Sequence, residues 1–160
     1  MPRLAVSGHR GLPEPTERLV DGVLRAAIRS RSNDGDLVGV TCIADGADSL
    51  FAQAVLDLGG DLHVIIPAGK YRDALPAEHH ATYDALLAQA ADITRLDHVE
   101  SDSTAHMDAS LRMLDEADEL LAVWDGKPAR GYGGTADVVD AARARGIPVT
   151  IVWPDGAERD

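Results

Sequence analysis

Four short segments concentrate the side chains of this sequence that could hold an anion or an aromatic ring. Ser7-Gly8-His9-Arg10 sets a glycine beside an arginine. A glycine lets a ligand approach the backbone, and a guanidinium can grip a phosphate with two parallel hydrogen bonds. Asp45-Gly46-Ala47-Asp48 brings two carboxyls to a glycine. Asp45 or Asp48 could cap a helix or bond ribose hydroxyls, and Gly46 beside a helix start would admit an anion. Lys70-Tyr71-Arg72 places two cations next to an aromatic, which suits phosphates and a stacked base. For the first and third of these a plain solvated turn is the competing reading, and for the second it is helix capping alone.

The fourth segment, Trp124-Asp125-Gly126-Lys127-Pro128-Ala129-Arg130-Gly131-Tyr132-Gly133-Gly134-Thr135, carries the strongest signal. Consecutive amides at Gly131, Gly133, Gly134 and Thr135, opening a helix, make a concave anion site reinforced by the helix dipole. Arg130 adds charge, and Trp124 or Tyr71 offers a stacking surface. The segment is neither the lysine-containing P-loop pattern nor GxGxxG.

Other reactive residue types give less. His79 and His80 are adjacent and point to different faces of a helix, while His63, His98 and His106 lack partners at ligand spacing. No metal site is expected. Cys42 is the only cysteine, so no disulfide can form within the chain, and its apolar surroundings make it a core residue.

The elements that must position these loops alternate strand and helix. Strands are expected at Leu4–Val6, Leu37–Ile43, Leu62–Pro67, Ile93–Leu96, Glu119–Trp124 and Val149–Trp153. Helices are expected over Glu14–Arg31, from Ala47 to Leu58, over Pro76–Ala91, around Met107–Leu114, and over Thr135–Arg145. Ser32 to Asp36 forms a turn, residues 68–75 a loop and residues 97–103 a polar loop. This pattern predicts an α/β fold of three layers, Rossmann-like, with a mostly parallel central sheet of about six strands and helices on both faces. The first strand should be central. Ligands in such sheets bind at the carboxyl ends of the strands, where all four segments fall.

The 160 residues suit one domain, residues 1–160, with a substantial core. No apolar run reaches the ~20 residues of a membrane span, and no leader peptide is evident. A cytoplasmic protein without direct membrane insertion is expected. The net charge of −12 opposes nucleic-acid backbones, so no nucleic-acid partner is expected. Yet Arg10, Lys70, Arg72, Lys127 and Arg130, including both lysines of the chain, all fall in the ligand-side loops. Local positive charge on a negative body suits a small phosphate-bearing molecule.

Taken together, SGHRG, ADGADSLFAQAVLDLGG, IIPAGKY and the stretch from AVWDGKPARGYGGT to IPVTIVW resemble the SLOG superfamily, Rossmann-like proteins related to the lonely-guy phosphoribohydrolases and DNA-processing protein A. The resemblance runs from Leu4 to Trp153. It implies a nucleotide or nucleotide-derivative ligand over the strand ends, no required cofactor, and a role as a ligand sensor, with a homodimer and a separate effector protein as partners. The phosphoribohydrolases resemble PGGxGTxxE, and here Val138 stands where their glutamate would be. Valine cannot stabilise an oxocarbenium or act as nucleophile. The expectation is therefore a non-catalytic binding module. The alternative is a nucleoside-5′-monophosphate phosphoribohydrolase or related N-glycosidic enzyme, with Asp137 or Asp125 supplying the carboxylate.

Overall fold

In the computed structural model, which describes residues 2–32 and 34–159, the strands form one wholly parallel sheet. They are β1 (Arg3–Gly8), β2 (Val38–Thr41), β3 (Asp61–Ala68), β4 (Asp92–His98), β5 (Glu119–Val123) and β6 (Val149–Ile151), in the order β4-β3-β2-β1-β5-β6. The first strand is central, as the sequence predicts. Asn33 of the expected turn lies outside the described residues.

The helices are α1 (Glu14–Arg31), α2 (Ala47–Asp57), α3 (Tyr71–Ala74), α4 (His80–Ala88), α5 (Ser103–Glu116) and α6 (Thr135–Ala144). Helix α1 packs on α2, and α2 on α4; α5 and α6 pack together as a second layer. Helix α1 has the sequence bounds, because Pro13 and Pro15 preset its first turn and Val20, Leu24 and Ile28 recur on one buried face. Asp102 caps α5 by accepting the Ala105 amide at 2.9 Å.

Several expected bounds need correction: β2 stops at Thr41 and not Ile43, β6 stops at Ile151 and not Trp153, and the first two residues of the expected 97–103 loop belong to β4. The helix expected from Pro76 is a 3₁₀ turn, Ala77–His79, running into α4, and part of the preceding loop is the short helix α3. Pro76 causes the break: it offers no amide hydrogen and holds Leu75 extended, at ψ 156°. Strands β3 and β4 are longer than expected, and their pairing slips between Ile66 and Ala68. Pro67 sits at that slip, where its missing N–H costs no ladder bond.

The core lies on both sheet faces. Phe51, Leu24 and Ile28 are fully buried on the α1–α2 side, and Met113, Leu114 and Val139 on the α5–α6 side. Among the described residues no helix is long and apolar enough to cross a membrane.

Candidate functional site

The chain leaves β1 towards β2 on one side and later returns through β5 on the other. The loops after β1 and β5 therefore part at the strand ends, the place where parallel α/β sheets form their binding crevice. Two hollows open there. An inner one of about 120 Å³ is floored by the ends of β1 to β3 and walled by α5. An outer one of about 260 Å³ lies against the start of α6. Ser7, Gly8, Arg10 and Gly133 border both, so the two are lobes of one crevice.

Local backbone chemistry shapes its floor. Gly8 sits where an added Cβ would lie 2.4 Å from the Ala47 Cβ, so α2 can start directly against β1 only because position 8 is glycine. Gly46 has φ +85°, and a Cβ there would meet the His9 carbonyl at 2.6 Å. Ala47 instead donates its amide to that carbonyl at 3.2 Å, tying the loops after β1 and β2 together. Ile43, in the same loop, is held at φ +49°, a strained conformation for a β-branched residue. Its amide bonds the Thr41 hydroxyl at 3.0 Å, and its carbonyl lies 3.0 Å from His79 Nε2.

The outer lobe is cationic. Arg10, Arg130 and Arg159 line it. Arg10 Nε donates to Asp45 Oδ1 at 2.8 Å, and Arg159 stands 3.9 Å from Asp125. Among the described residues, no carboxylate pairs with Arg130. At the start of α6, the Gly133 amide donates to Asp137 Oδ2 at 2.9 Å and the Gly134 amide to the Gly131 carbonyl at 3.3 Å. That leaves the amides of Thr135 and Ala136 without an acceptor among the described residues, with the Thr135 hydroxyl on the wall of the lobe. Free helix-start amides facing guanidinium groups make an anion site.

His9 braces this lobe from below. It is buried, with its ring edge-on to Trp153 at 5.4 Å, and its Nε2 accepts the Asp125 amide at 3.1 Å. Burial, with the Arg159 charge, lowers its pKa against the pull of Asp125. The ring therefore stays neutral at pH 7 and keeps Nε2 as an acceptor.

The inner lobe has a different character. Cys42, Tyr71 and Met113 give it apolar walls, and Asp48, His106 and Ser110 give it polar groups. Burial pushes the Cys42 thiol and the Tyr71 phenol well up, so both stay protonated. Burial also raises Asp48 from 3.8 to about 7, although its carboxyl accepts the Ala44 amide at 3.3 Å. His106 packs edge-on to Tyr71 at 5.8 Å and is 2.8 Å from the Ser101 hydroxyl. Its pKa is lowered by burial and by Arg10.

The structure thus brings Ser7, Gly8, His9, Arg10, Asp48, Tyr71, Arg130, Gly133, Gly134 and Thr135 to the crevice. Asp125 lines a shallower groove beside it. Lys70 and Arg72 stand elsewhere, paired with Glu100 at 2.7 Å and with Asp84 at 2.8 Å. Trp124 turns its indole N–H onto the Lys127 carbonyl at 2.8 Å and braces the loop. Gly46 and Gly131 shape turns outside the lobes. Tyr71 is buried on the inner wall, edge-on to Tyr83 at 6.1 Å. Cys42 lies in the core, as expected, and also borders the inner lobe.

Sequence reasoning missed Arg159, His106 and Ser110. His106, Ser110 and Met113 follow i, i+4, i+7 spacing along α5, a signal that marks one face. Nothing in the sequence around Arg159 marks it. Val138, at the position of the phosphoribohydrolase glutamate, is buried in the core, and Asp137 is engaged by the Gly133 amide.

No protein-family profile and no curated protein matches the sequence. Solved structures do match in shape. DNA processing protein A from Streptococcus pneumoniae superposes with a TM-score of 0.66 at 17% identity over 94% of this chain and 50% of that one. DNA processing protein A from Helicobacter pylori, described with its single-stranded DNA binding mode, gives 0.68 at 13% identity over 94% and 64%. The protein TM1055 gives 0.60 at 19% identity over 93% and 72%. The chain spans half to about two thirds of the DNA processing protein A chains. These likenesses bear out the expected Rossmann-like α/β fold. They also overturn the expectation of no nucleic-acid partner, since a protein of the same fold binds single-stranded DNA. The physical error was to weigh total charge: beyond a Debye length of about 8 Å, distant carboxylates are screened, and the local rim decides.

Proposed function

We propose that this domain binds a nucleotide in the β1–β5 crevice and does not cleave it. One observation carries the reading: three arginines meet the start of α6, where the Thr135 amide has no acceptor among the described residues, in a lobe continuous with a second, ring-sized one. The phosphate sits at Thr135 and Ala136, facing Arg10, Arg130 and Arg159. The remainder of the nucleotide extends over Ser7 and Gly8 into the inner lobe. Buried Val138 and engaged Asp137 support binding without N-glycosidic cleavage, because neither offers a carboxylate to the crevice. A sensor role follows if ligand order in the α6 loop is what a partner reads.

Thermal melts with a panel of nucleotides test the proposal. A ligand that binds the folded chain alone raises the melting temperature by mass action, by about 2.7 kcal/mol of stability at one hundred times its Kd. No shift with any nucleotide at millimolar concentration overturns it. Release of free base from a nucleoside 5′-monophosphate overturns the non-catalytic part.

The Helicobacter pylori neighbour favours a second reading, in which the nucleotide belongs to a single DNA strand. Strand binding should give an affinity for short oligonucleotides far above that for mononucleotides, with a steep fall as salt rises. Equal affinities with a shallow salt slope favour the free nucleotide.

A further inference from the structure

We infer that the inner lobe receives the base of a pyrimidine nucleotide, a single ring, with the Asp48 carboxyl accepting an N–H from the edge of that base. This inference deepens the nucleotide reading above and rests on it.

Size is the first argument. The lobe measures about 120 Å³. A protein cavity of about 150 Å³ holds benzene. One six-membered ring matches that scale, and a fused purine exceeds it.

Charge is the second. The two lobes are opposite in character: Arg130 and Arg159 border only the outer one, and Asp48 only the inner one. A phosphate in the inner lobe would meet a carboxyl, and a neutral ring in the outer lobe would leave the arginines unanswered. A ligand with one anionic end and one neutral end bearing an N–H fits in a single orientation. Arg10, bordering both lobes, lies along the path between them.

Hydrogen-bond capacity is the third. A carboxylate has about four acceptor positions. The Ala44 amide takes one for Asp48, which leaves acceptor capacity in the lining of the lobe. Cytosine presents its exocyclic amino group and uracil its ring N–H on the edge that would enter first, and an aspartate is a suitable acceptor for such a donor. Ser7 and Ser110, which also line this lobe, carry hydroxyls that can donate to the ring carbonyl.

Isothermal titration of the full chain with CMP, UMP, AMP, GMP and ribose 5-phosphate tests this. The pyrimidine nucleotides should bind at least about tenfold more tightly than the purine nucleotides and ribose 5-phosphate. Asp48→Ala should lower CMP and UMP to the level of ribose 5-phosphate while ribose 5-phosphate itself is unchanged, which also reports that the variant is folded. Met113→Ala, which enlarges the lobe from the other side, should bring AMP and GMP up towards the pyrimidine nucleotides. AMP or GMP binding as tightly as UMP overturns the inference and leaves the nucleotide reading standing, as does an unchanged pyrimidine preference in Asp48→Ala. Ribose 5-phosphate binding as tightly as every nucleotide removes the base from the lobe. Failure of all five ligands to bind overturns both readings.

Discussion

At the scale of single residues, the outer lobe assigns unequal roles to its arginines. Arg10 is committed to Asp45, and Arg159 leans towards Asp125, whereas Arg130 borders the lobe without a carboxylate partner among the described residues. Charge-assisted bonds to an anion contribute about 1.5–3 kcal/mol each. Arg130→Ala should therefore weaken nucleotide binding about tenfold or more in a calorimetric titration, with the melting temperature of the free protein unchanged. Asp48 carries a separate signature. Its pKa rises from 3.8 to about 7 on folding, so between those values the folded chain binds more protons than the unfolded one. Stability due to this group is then full at low pH and is lost as pH rises through that window, by at most about 1.4 kcal/mol per pH unit. Asp48→Asn should flatten that segment of the stability profile in urea titrations. The residues of the crevice differ in how legible they were. Arg10 and Thr135 announced themselves by type beside glycine, while Arg159 reaches the lobe only through the fold of the segment after β6, which no local pattern marks. Lys70 and Arg72 look equally suited in sequence, but each finds a nearer carboxylate, Glu100 and Asp84, and turns away.

At the scale of elements, the loop between β2 and α2 is the most constrained part of the site. It holds Ile43 at positive φ and Gly46 against His9, and it leads into α2, whose second residue, Asp48, lines the inner lobe. Gly46→Ala adds a methyl group 2.6 Å from a carbonyl in a conformation that L residues avoid. It should cost about 2 kcal/mol or more in chemical denaturation and loosen the crevice with it. Helix α6 supports the non-catalytic reading in the same concrete way. Its third helical residue, Asp137, reaches back to Gly133, and its fourth, Val138, faces the core. Val138→Glu would bury a carboxylate without a partner rather than restore a catalytic group. It should destabilise the chain by about 3 kcal/mol or more and release no base from a nucleoside monophosphate in a chromatographic assay. Element bounds were readable wherever one hydrophobic period ran uninterrupted, as in α1. They were misread at Pro76, where a proline inside a helical pattern moved the start of α4, and in the lengths of β3 and β4, where an edge pairing rather than residue type set the limit.

At the scale of the whole molecule, alternation of strand and helix was enough to foresee a parallel sheet with its first strand central, because each near-continuous apolar strand demands helices on both faces. The crevice at β1 and β5 followed from that order. What the sequence could not supply was depth: which loop residues line the crevice, and that two lobes of different character join over Ser7 and Gly8. Net charge misled at this scale, since the −12 total says little about a rim where three arginines gather. The most direct test is a crystal structure of the chain grown with a nucleoside 5′-monophosphate at millimolar concentration. The expected result places the phosphate within hydrogen-bond distance, about 2.7–3.2 Å, of the Thr135 and Ala136 amides, with Arg130 turned onto it. A nucleotide bound away from the start of α6, or a crevice with no ligand density in crystals soaked to saturation, would contradict it.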